Sequence, residues 1–238
     1  EVTEVCRQSA GPRRVDIIPQ VNWEDRGEKM KYRRPPFPRE IWIEYLYGLG
    51  AGARGFSGYE WYTESNHHGA REYTDVMEAV GQAFRRFQLV APLILQAHPT
   101  NIATCDDEKV WLKTLVCGPN AVLLVAVNDD YESLPADFAF CPKQQVEIRL
   151  PSLPWLKPTH AARVDDGRFT QVALEPADDG HKIVLPELDT GEVILVASTT
   201  ELADQLLSRY ARLRQEAAQT VVRAYQCDQR NKARGDTL

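Results

Sequence analysis

The sequence predicts an α/β segment, then an all-β domain and a C-terminal helix. Short apolar runs alternate with helical periodicity up to about residue 100, which is typical of parallel strands joined by helices. Beyond that point the apolar runs are short and closely spaced, with turn signals such as Asp165-Asp166-Gly167 between them. We therefore predict the last strands and helices of a (β/α)8 barrel, followed by an antiparallel β-sandwich and a helix. The predicted domain limits are 1–98, 99–198 and 199–238.

Two apolar runs in the first segment, at residues 15–21 and 53–61, are predicted to be buried parallel strands. A helix beginning near Pro38 separates them, and we interpret the glycines at positions 48, 50 and 52 as turn residues that end this helix. These glycines follow a helix and precede a strand, so they do not fit a dinucleotide-binding loop. A second helix has one apolar face, formed by Val76, Val80, Phe84, Phe87 and Val90.

The length available to the first segment indicates that the barrel is partial. A sheet of two parallel strands exposes both edges and an apolar face, so it needs neighbours. A complete (β/α)8 barrel takes about 250 residues, whereas the β-rich part begins near residue 100. We therefore expect a missing N-terminal barrel segment, encoded upstream or supplied by another source.

Seven apolar runs predict the sandwich. They occupy residues 110–117, 121–127, 145–150, 161–164, 170–174, 182–185 and 192–197. A single apolar stripe then predicts a helix over about 199–226, with residues 229–238 as a loose polar tail. The helix is expected to pack back on the preceding domains or, as the alternative, to join two copies of the chain in a homo-oligomer.

Composition argues against several functional classes. A formal net charge of -6 disfavours nucleic-acid binding, and no apolar run approaches the roughly 18 to 20 residues of a membrane span. The five cysteines lack metal-ligand spacing. We expect no nucleic-acid partner, no membrane span, no metal and no cofactor. A secreted or periplasmic location and a cytoplasmic one both stay open.

Residues 33–61 resemble the end of many glycoside hydrolase barrels. The proline-rich run Pro35-Pro36-Phe37-Pro38 precedes the helix, and Gly50-Ala51-Gly52-Ala53-Arg54-Gly55 leads into a strand that ends in Tyr59-Glu60-Trp61. The β-rich part is similar to the domains that follow such barrels, notably at residues 122–128 and 189–196. The resemblance covers roughly residues 10–198, and it implies that residues 15–21 and 53–58 are the seventh and eighth barrel strands.

This resemblance implies a carbohydrate-active hydrolase whose chemistry lies at the carboxyl ends of the strands. Cleavage of a glycosidic bond needs two carboxyl groups. Glu24, which follows the seventh strand, and Glu60, which follows the eighth, are the predicted catalytic residues. The resemblance also implies a partner acid at the end of the fourth strand, so we expect part of the catalytic site to lie in the missing barrel segment. The predicted carbohydrate-binding residues are Trp23, Tyr59, Trp61 and His67.

Two other interpretations stay open, because fold alone does not decide function. The chain could be a non-catalytic glycan-binding or structural relative of the barrel enzymes. It could also belong to another (β/α) enzyme class or to an assembly. The hydrolase interpretation predicts a carboxylate pair in a cleft beside Trp61, and the non-catalytic one predicts an aromatic cleft without such a pair.

Overall fold

The computed structural model describes residues 15–18, 23–24, 36–58, 67–68, 73–134 and 137–234. The elements of the first part are β1 (Asp16–Ile17), β2 (Trp23–Glu24), α1 (Pro38–Gly50), β3 (Gly55–Phe56), β4 (His67–His68), α2 (Thr74–Leu89) and α3 (Ala91–Ile94). The strands that follow are β5 (His98–Thr100), β6 (Thr104–Cys105), β7 (Val110–Val116), β8 (Ala121–Asn128), β9 (Tyr131–Leu134), β10 (Asp137–Phe140), β11 (Lys143–Pro151), β12 (His160–Asp165), β13 (Arg168–Gln171), β14 (Ala173–Ala177), β15 (Gly180–Leu188) and β16 (Gly191–Ala197). The chain continues into helix α4 (Glu201–Arg234).

Strands β1 and β3 pair in parallel, as the sequence predicts for the two apolar runs of the first segment. Asp16 is the register partner of Gly55, and the backbone amide of Ser57 donates to the Ile17 carbonyl at 3.1 Å. A parallel pair needs a crossover of about a dozen or more residues, and α1 lies in this connection. The further inference that these strands belong to a partial barrel stays a prediction.

Two of the three glycines near the end of α1 lie inside the helix, which corrects their interpretation as turn residues. A Cβ on Gly48 would collide with the Ile17 side chain of β1, and a Cβ on Gly50 would lie 2.5 Å from the Trp111 ring of β7. Gly52, with φ of 96°, does form a turn. The glycines of α1 are therefore explained by the close approach of two strands to its backbone.

The β-rich part has two large antiparallel sheets and a separate two-stranded hairpin of β9 and β10. The larger has six strands in the order β13-β12-β16-β8-β7-β5, and the smaller has four in the order β14-β15-β11-β6. Residues of both sheets join in one apolar core, which includes Val122, Leu124, Ile148, Leu150, Ile183 and Ile194. The prediction of a mixed helix-and-sheet chain with antiparallel sheets is confirmed at this level.

Strand β8 is buried along its whole length because both of its faces are covered. Leu123, Val125 and Val127 belong to a core shared with α1 and α2. Val122 and Leu124 belong to the core shared with the smaller sheet. Since successive side chains of a strand point to opposite faces, the helices, the larger sheet and the smaller sheet form three layers.

The single strand predicted over residues 170–174 is wrong, because the chain changes sheets there. Strand β13 pairs with β12 in the larger sheet, and β14 pairs with β15 in the smaller one. Val172, between them, is 8% exposed, and its amide donates to the Ala161 carbonyl at 3.0 Å. The change of sheet occurs at a buried apolar residue, so no glycine or proline indicates it in the sequence.

Helix α4 extends to Arg234, so the loose tail predicted from residue 229 is wrong for residues 229–234. The first turns pack on the protein through Ala203, Leu206 and Tyr210, which are buried. Farther along, the apolar stripe is exposed, with Val221 at 68%. The expected packing of this helix therefore holds for its beginning, and the homo-oligomer stays a prediction.

None of the helices in the described parts of the chain has the length and hydropathy needed to cross a membrane. The four cysteines in these parts, Cys105, Cys117, Cys141 and Cys227, are free thiols. Burial raises the pKa of Cys117 to about 12, so this thiol stays protonated at neutral pH and is a poor nucleophile.

Candidate functional site

The predicted site surrounds the carboxyl ends of the parallel strands β1 and β3. Strand β2 follows β1, strand β4 follows β3, and the two pair antiparallel. Glu24 is the register partner of His67, and Trp23 is the register partner of His68. The structure therefore brings together the segments that follow the two parallel strands, including three of the predicted site residues.

The other predicted site residues, Tyr59, Glu60 and Trp61, lie outside the described residues. For Trp23, Glu24 and His67 the backbone pairing is described and the side chains are not. The assignment of catalytic and carbohydrate-binding roles to these six residues therefore stays a prediction.

A second site, which the sequence did not indicate, is a cleft of about 310 Å³ between α1, α2 and the turn from β15 to β16. The residues that line it include Arg39, Trp42, Gln82, Arg86, Thr190 and Glu192. Its volume lies at the lower end of the roughly 300–1,000 Å³ typical of small-molecule sites. We call it the Trp42 cleft.

The indole of Trp42 is held in place from two sides. Its Nε1 donates to the Gly191 carbonyl of β16 at 2.9 Å, and its ring lies 5.8 Å from that of Phe87, centroid to centroid. The guanidinium of Arg86 lies over the indole, 4.5 Å from the ring centroid, within the range of a cation–π contact. Since Phe87 packs in the core shared with the larger sheet, α2 places the adjacent Arg86 at the edge of that core.

Three of the charged side chains that line the Trp42 cleft form ion pairs, and Arg86 forms none with the described residues. Arg39 forms an ion pair with Asp189 at 3.2 Å, and Glu192 lies 3.7 Å from the guanidinium of Arg163. The Nε of Arg86 is buried and has no hydrogen-bond partner. Within the described parts of the chain, no carboxylate forms an ion pair with Arg86, so no direct contact neutralises the charge of this guanidinium.

Burial raises the pKa of Glu192 to about 7. Loss of solvation is the main cause, because it disfavours the charged form. The positive charges of Arg163 and Arg86 act in the opposite direction, and the negative charges of Asp165 and Asp189 raise the pKa further. A substantial fraction of this carboxyl group is therefore protonated at neutral pH, and in that form it can donate a hydrogen bond.

Replacing Glu192 with Gln is expected to stabilise the protein more at pH 8 than at pH 5. The carboxyl pKa of about 7 in the folded protein lies above its ordinary value of 4.5, so the folded state binds this proton more tightly than the unfolded chain. Native stability contributed by the protonated form is consequently lost as the pH rises between these values. The advantage of the Gln variant should grow by on the order of 2 kcal/mol from pH 5 to pH 8. Urea unfolding of both proteins measures it, and a pH-independent difference would contradict the expectation.

The Trp42 cleft was not predicted from the sequence, because its residues come from distant parts of the chain. Trp42 and Gly191, which it contacts, are 149 positions apart. One signal was present: Glu192 is an acidic residue in an otherwise apolar run, and an acid on a buried strand indicates either a partner or a raised pKa.

Comparison with known proteins gives a structural likeness only. No protein-family model and no curated protein match the chain. Among solved structures, the chain is similar to a cycloisomaltooligosaccharide glucanotransferase from Paenibacillus sp., complexed with cycloisomaltoheptaose, with a TM-score of 0.47 and 10% identity over 67% of this chain and 27% of that chain. Another is alpha-L-fucosidase isoenzyme 2 from Paenibacillus thiaminolyticus, with a TM-score of 0.32 and 13% identity over 54% of this chain and 19% of that chain.

A third is a glycoside hydrolase family 5 protein from Bacteroides vulgatus, with a TM-score of 0.32 and 11% identity over 67% of this chain and 36% of that chain. These neighbours are glycoside hydrolases or related enzymes. The chain spans about a quarter of the length of the glucanotransferase that it matches.

Proposed function

We propose that this chain is the C-terminal portion of a carbohydrate-active hydrolase that cleaves glycosidic bonds with two carboxyl groups. The observation that carries the proposal is the pairing of β2 with β4, which joins the segments that follow β1 and β3. The carboxyl ends of parallel strands are where barrel enzymes carry their chemistry. Glu24 lies in this pairing, with His67 as its register partner.

In this proposal β1 and β3 are the seventh and eighth strands of a (β/α)8 barrel. One carboxylic acid protonates the oxygen of the leaving sugar, and the other carboxylate attacks the anomeric carbon or activates a water molecule. The two carboxyl groups are those of Glu24 and Glu60. The carbohydrate-binding residues are Trp23, Tyr59, Trp61 and His67.

The proposal also requires further barrel strands and helices next to β3. An apolar cleft of about 270 Å³ lies there, lined by residues that include Phe56, Phe84, Phe87, Ile94 and Leu95. Leu95 is 54% exposed, and a neighbouring barrel segment would cover such a surface. The proposed domains are the C-terminal part of the barrel at 1–98, the sandwich at 99–198 and the helix with its tail at 199–238.

Hydrolysis of aryl glycosides by the intact protein tests the proposal. Nitrophenol release would be followed on a panel of α- and β-linked nitrophenyl glycosides of hexoses, pentoses and uronic acids. We expect at least one substrate to be cleaved above its uncatalysed rate. Glycan binding in affinity electrophoresis without cleavage of any substrate would favour the non-catalytic alternative over the hydrolase. The absence of both glycan binding and cleavage would contradict both proposals.

A further inference from the structure

We infer that the Trp42 cleft binds a small hydroxylated carboxylate and that Arg86 holds its carboxylate group. The inference does not depend on the proposed hydrolase activity, because none of the residues assigned to that activity lines the cleft. It stands on the geometry of one guanidinium and on the polar groups around it.

The first step is the contrast between Arg86 and its neighbour Arg85. Arg85 donates to both carboxylate oxygens of Asp166, at 2.7 and 2.8 Å, and to Glu78 at 3.1 Å. Arg86 has a buried Nε without any partner. A guanidinium presents five donors in a planar fork that matches a carboxylate. Arg86 lines the cleft and forms no ion pair with a carboxylate of the described residues, so a ligand carboxylate would accept from its terminal nitrogens.

The second step is preorganisation. The guanidinium of Arg86 is stacked on the Trp42 ring, and this ring is fixed by its hydrogen bond to Gly191. A side chain that is already ordered loses less conformational entropy when a ligand binds. The indole therefore holds the cation ready in a cleft whose volume of about 310 Å³ suits a small molecule.

The third step is the polar lining, which favours hydroxyl groups on the rest of the ligand. Gln82 donates its amide to Glu78 at 3.0 Å, so its carbonyl oxygen can accept from a hydroxyl group. The ion pair of Arg39 with Asp189 also lines the cleft and offers both donors and acceptors. A purely apolar acid would leave the remaining donors and acceptors of these groups unused.

The fourth step concerns Glu192, which lies in the same cleft. The charged groups that act on it are Arg163 and Asp165 from β12, Arg86 from α2 and Asp189 from the turn before β16. Protonated Glu192 can donate to a ligand carboxylate, whereas the ionised form repels it. Since the pKa of Glu192 is raised to about 7, ligand affinity should fall as the pH rises through neutrality.

Calorimetric titration with glucuronate and with glucose tests the inference, because these probes differ mainly in a carboxylate that replaces a hydroxymethyl group. We expect saturable binding of glucuronate and roughly tenfold or more weaker binding of glucose. The variant Arg86→Gln should weaken glucuronate binding by a similar factor. The matched control Arg85→Gln removes the same charge from the adjacent position of α2 and should leave the affinity within about twofold.

Two further variants keep the test decisive if Arg86→Gln fails to fold. Ala79→Leu narrows the cleft without removing a charge and should abolish binding, because Ala79 lines it. Glu192→Gln should make the affinity for glucuronate the same at pH 6 and pH 8. Equal binding of both probes, equal losses in the Arg85 and Arg86 variants, or no saturable binding up to about 10 mM glucuronate would each overturn the inference.

Discussion

Replacing Glu24 with Gln is expected to lower the turnover of any glycoside that the intact protein cleaves by roughly a thousandfold. Glutamine has nearly the same shape as glutamate, but its amide neither ionises to attack the anomeric carbon nor gives up a proton to the leaving oxygen. The loss should appear in kcat with little change in KM, because the shape of the sugar site is preserved. Initial rates of nitrophenol release measure both quantities.

Glu60→Gln should produce a comparable loss if the two residues form the proposed pair. The control is Glu216→Gln on the exposed part of α4, where the side chain is 61% exposed and pairs only loosely with Arg212 at 3.8 Å. Its kcat should match that of the native protein. Unchanged turnover in both the Glu24 and Glu60 variants would remove these residues from the catalytic role.

The substitution Asn128→Asp is expected to destabilise the protein by about 3–5 kcal/mol. Asn128 is fully buried at the end of β8. Its Nδ2 donates to the carbonyls of Cys141 at 2.9 Å and Asp189 at 2.7 Å, and its Oδ1 accepts from the Asp130 amide at 3.1 Å. An aspartate would place an oxygen against two carbonyl oxygens, and its charge would be buried without a cation.

Urea unfolding measures this effect. The matched control is Asn101→Asp, because the exposed amide of Asn101 only accepts from the Lys113 ammonium group at 2.8 Å. This variant should stay within about 0.5 kcal/mol of the native protein. A loss of less than about 1 kcal/mol in Asn128→Asp would show that the hydrogen bonds of Asn128 to the Cys141 and Asp189 carbonyls contribute little to stability.

Much of the β-rich part could be predicted, because its strands are bounded by strong turn signals. Strands β7, β8 and β16 are long, mostly apolar runs, each with a glycine-containing turn at one end, and each appears close to its predicted bounds. The hairpin of β9 and β10 was not predicted, because each strand has only four residues and carries an acidic residue, Glu132 or Asp137. Its pairing is local, and Tyr131 and Phe138 lie 4.9 Å apart between ring centroids. The sequence pattern therefore found the long apolar strands and missed a short polar hairpin.

Of the two candidate sites, one could be predicted from the sequence and the other could not. Glu24 and His67 could be placed near each other, because the loops that follow parallel strands meet at one end of a sheet. The Trp42 cleft could not be predicted, since Trp42, Arg86 and Glu192 come together only when α1 and α2 pack on the larger sheet. The spacing of these residues along the sequence does not indicate that packing.

The burial of β8 on both faces limits which parts of this protein could be exchanged between genes by recombination. If recombination moved the two antiparallel sheets alone into another gene, Leu123, Val125 and Val127 would lose the cover that α1 and α2 give them. A host protein would have to supply a new helical layer or tolerate a large exposed apolar surface. A transferable unit would therefore have to include both helices with the pair of sheets, so exchange between genes would favour junctions upstream of α1.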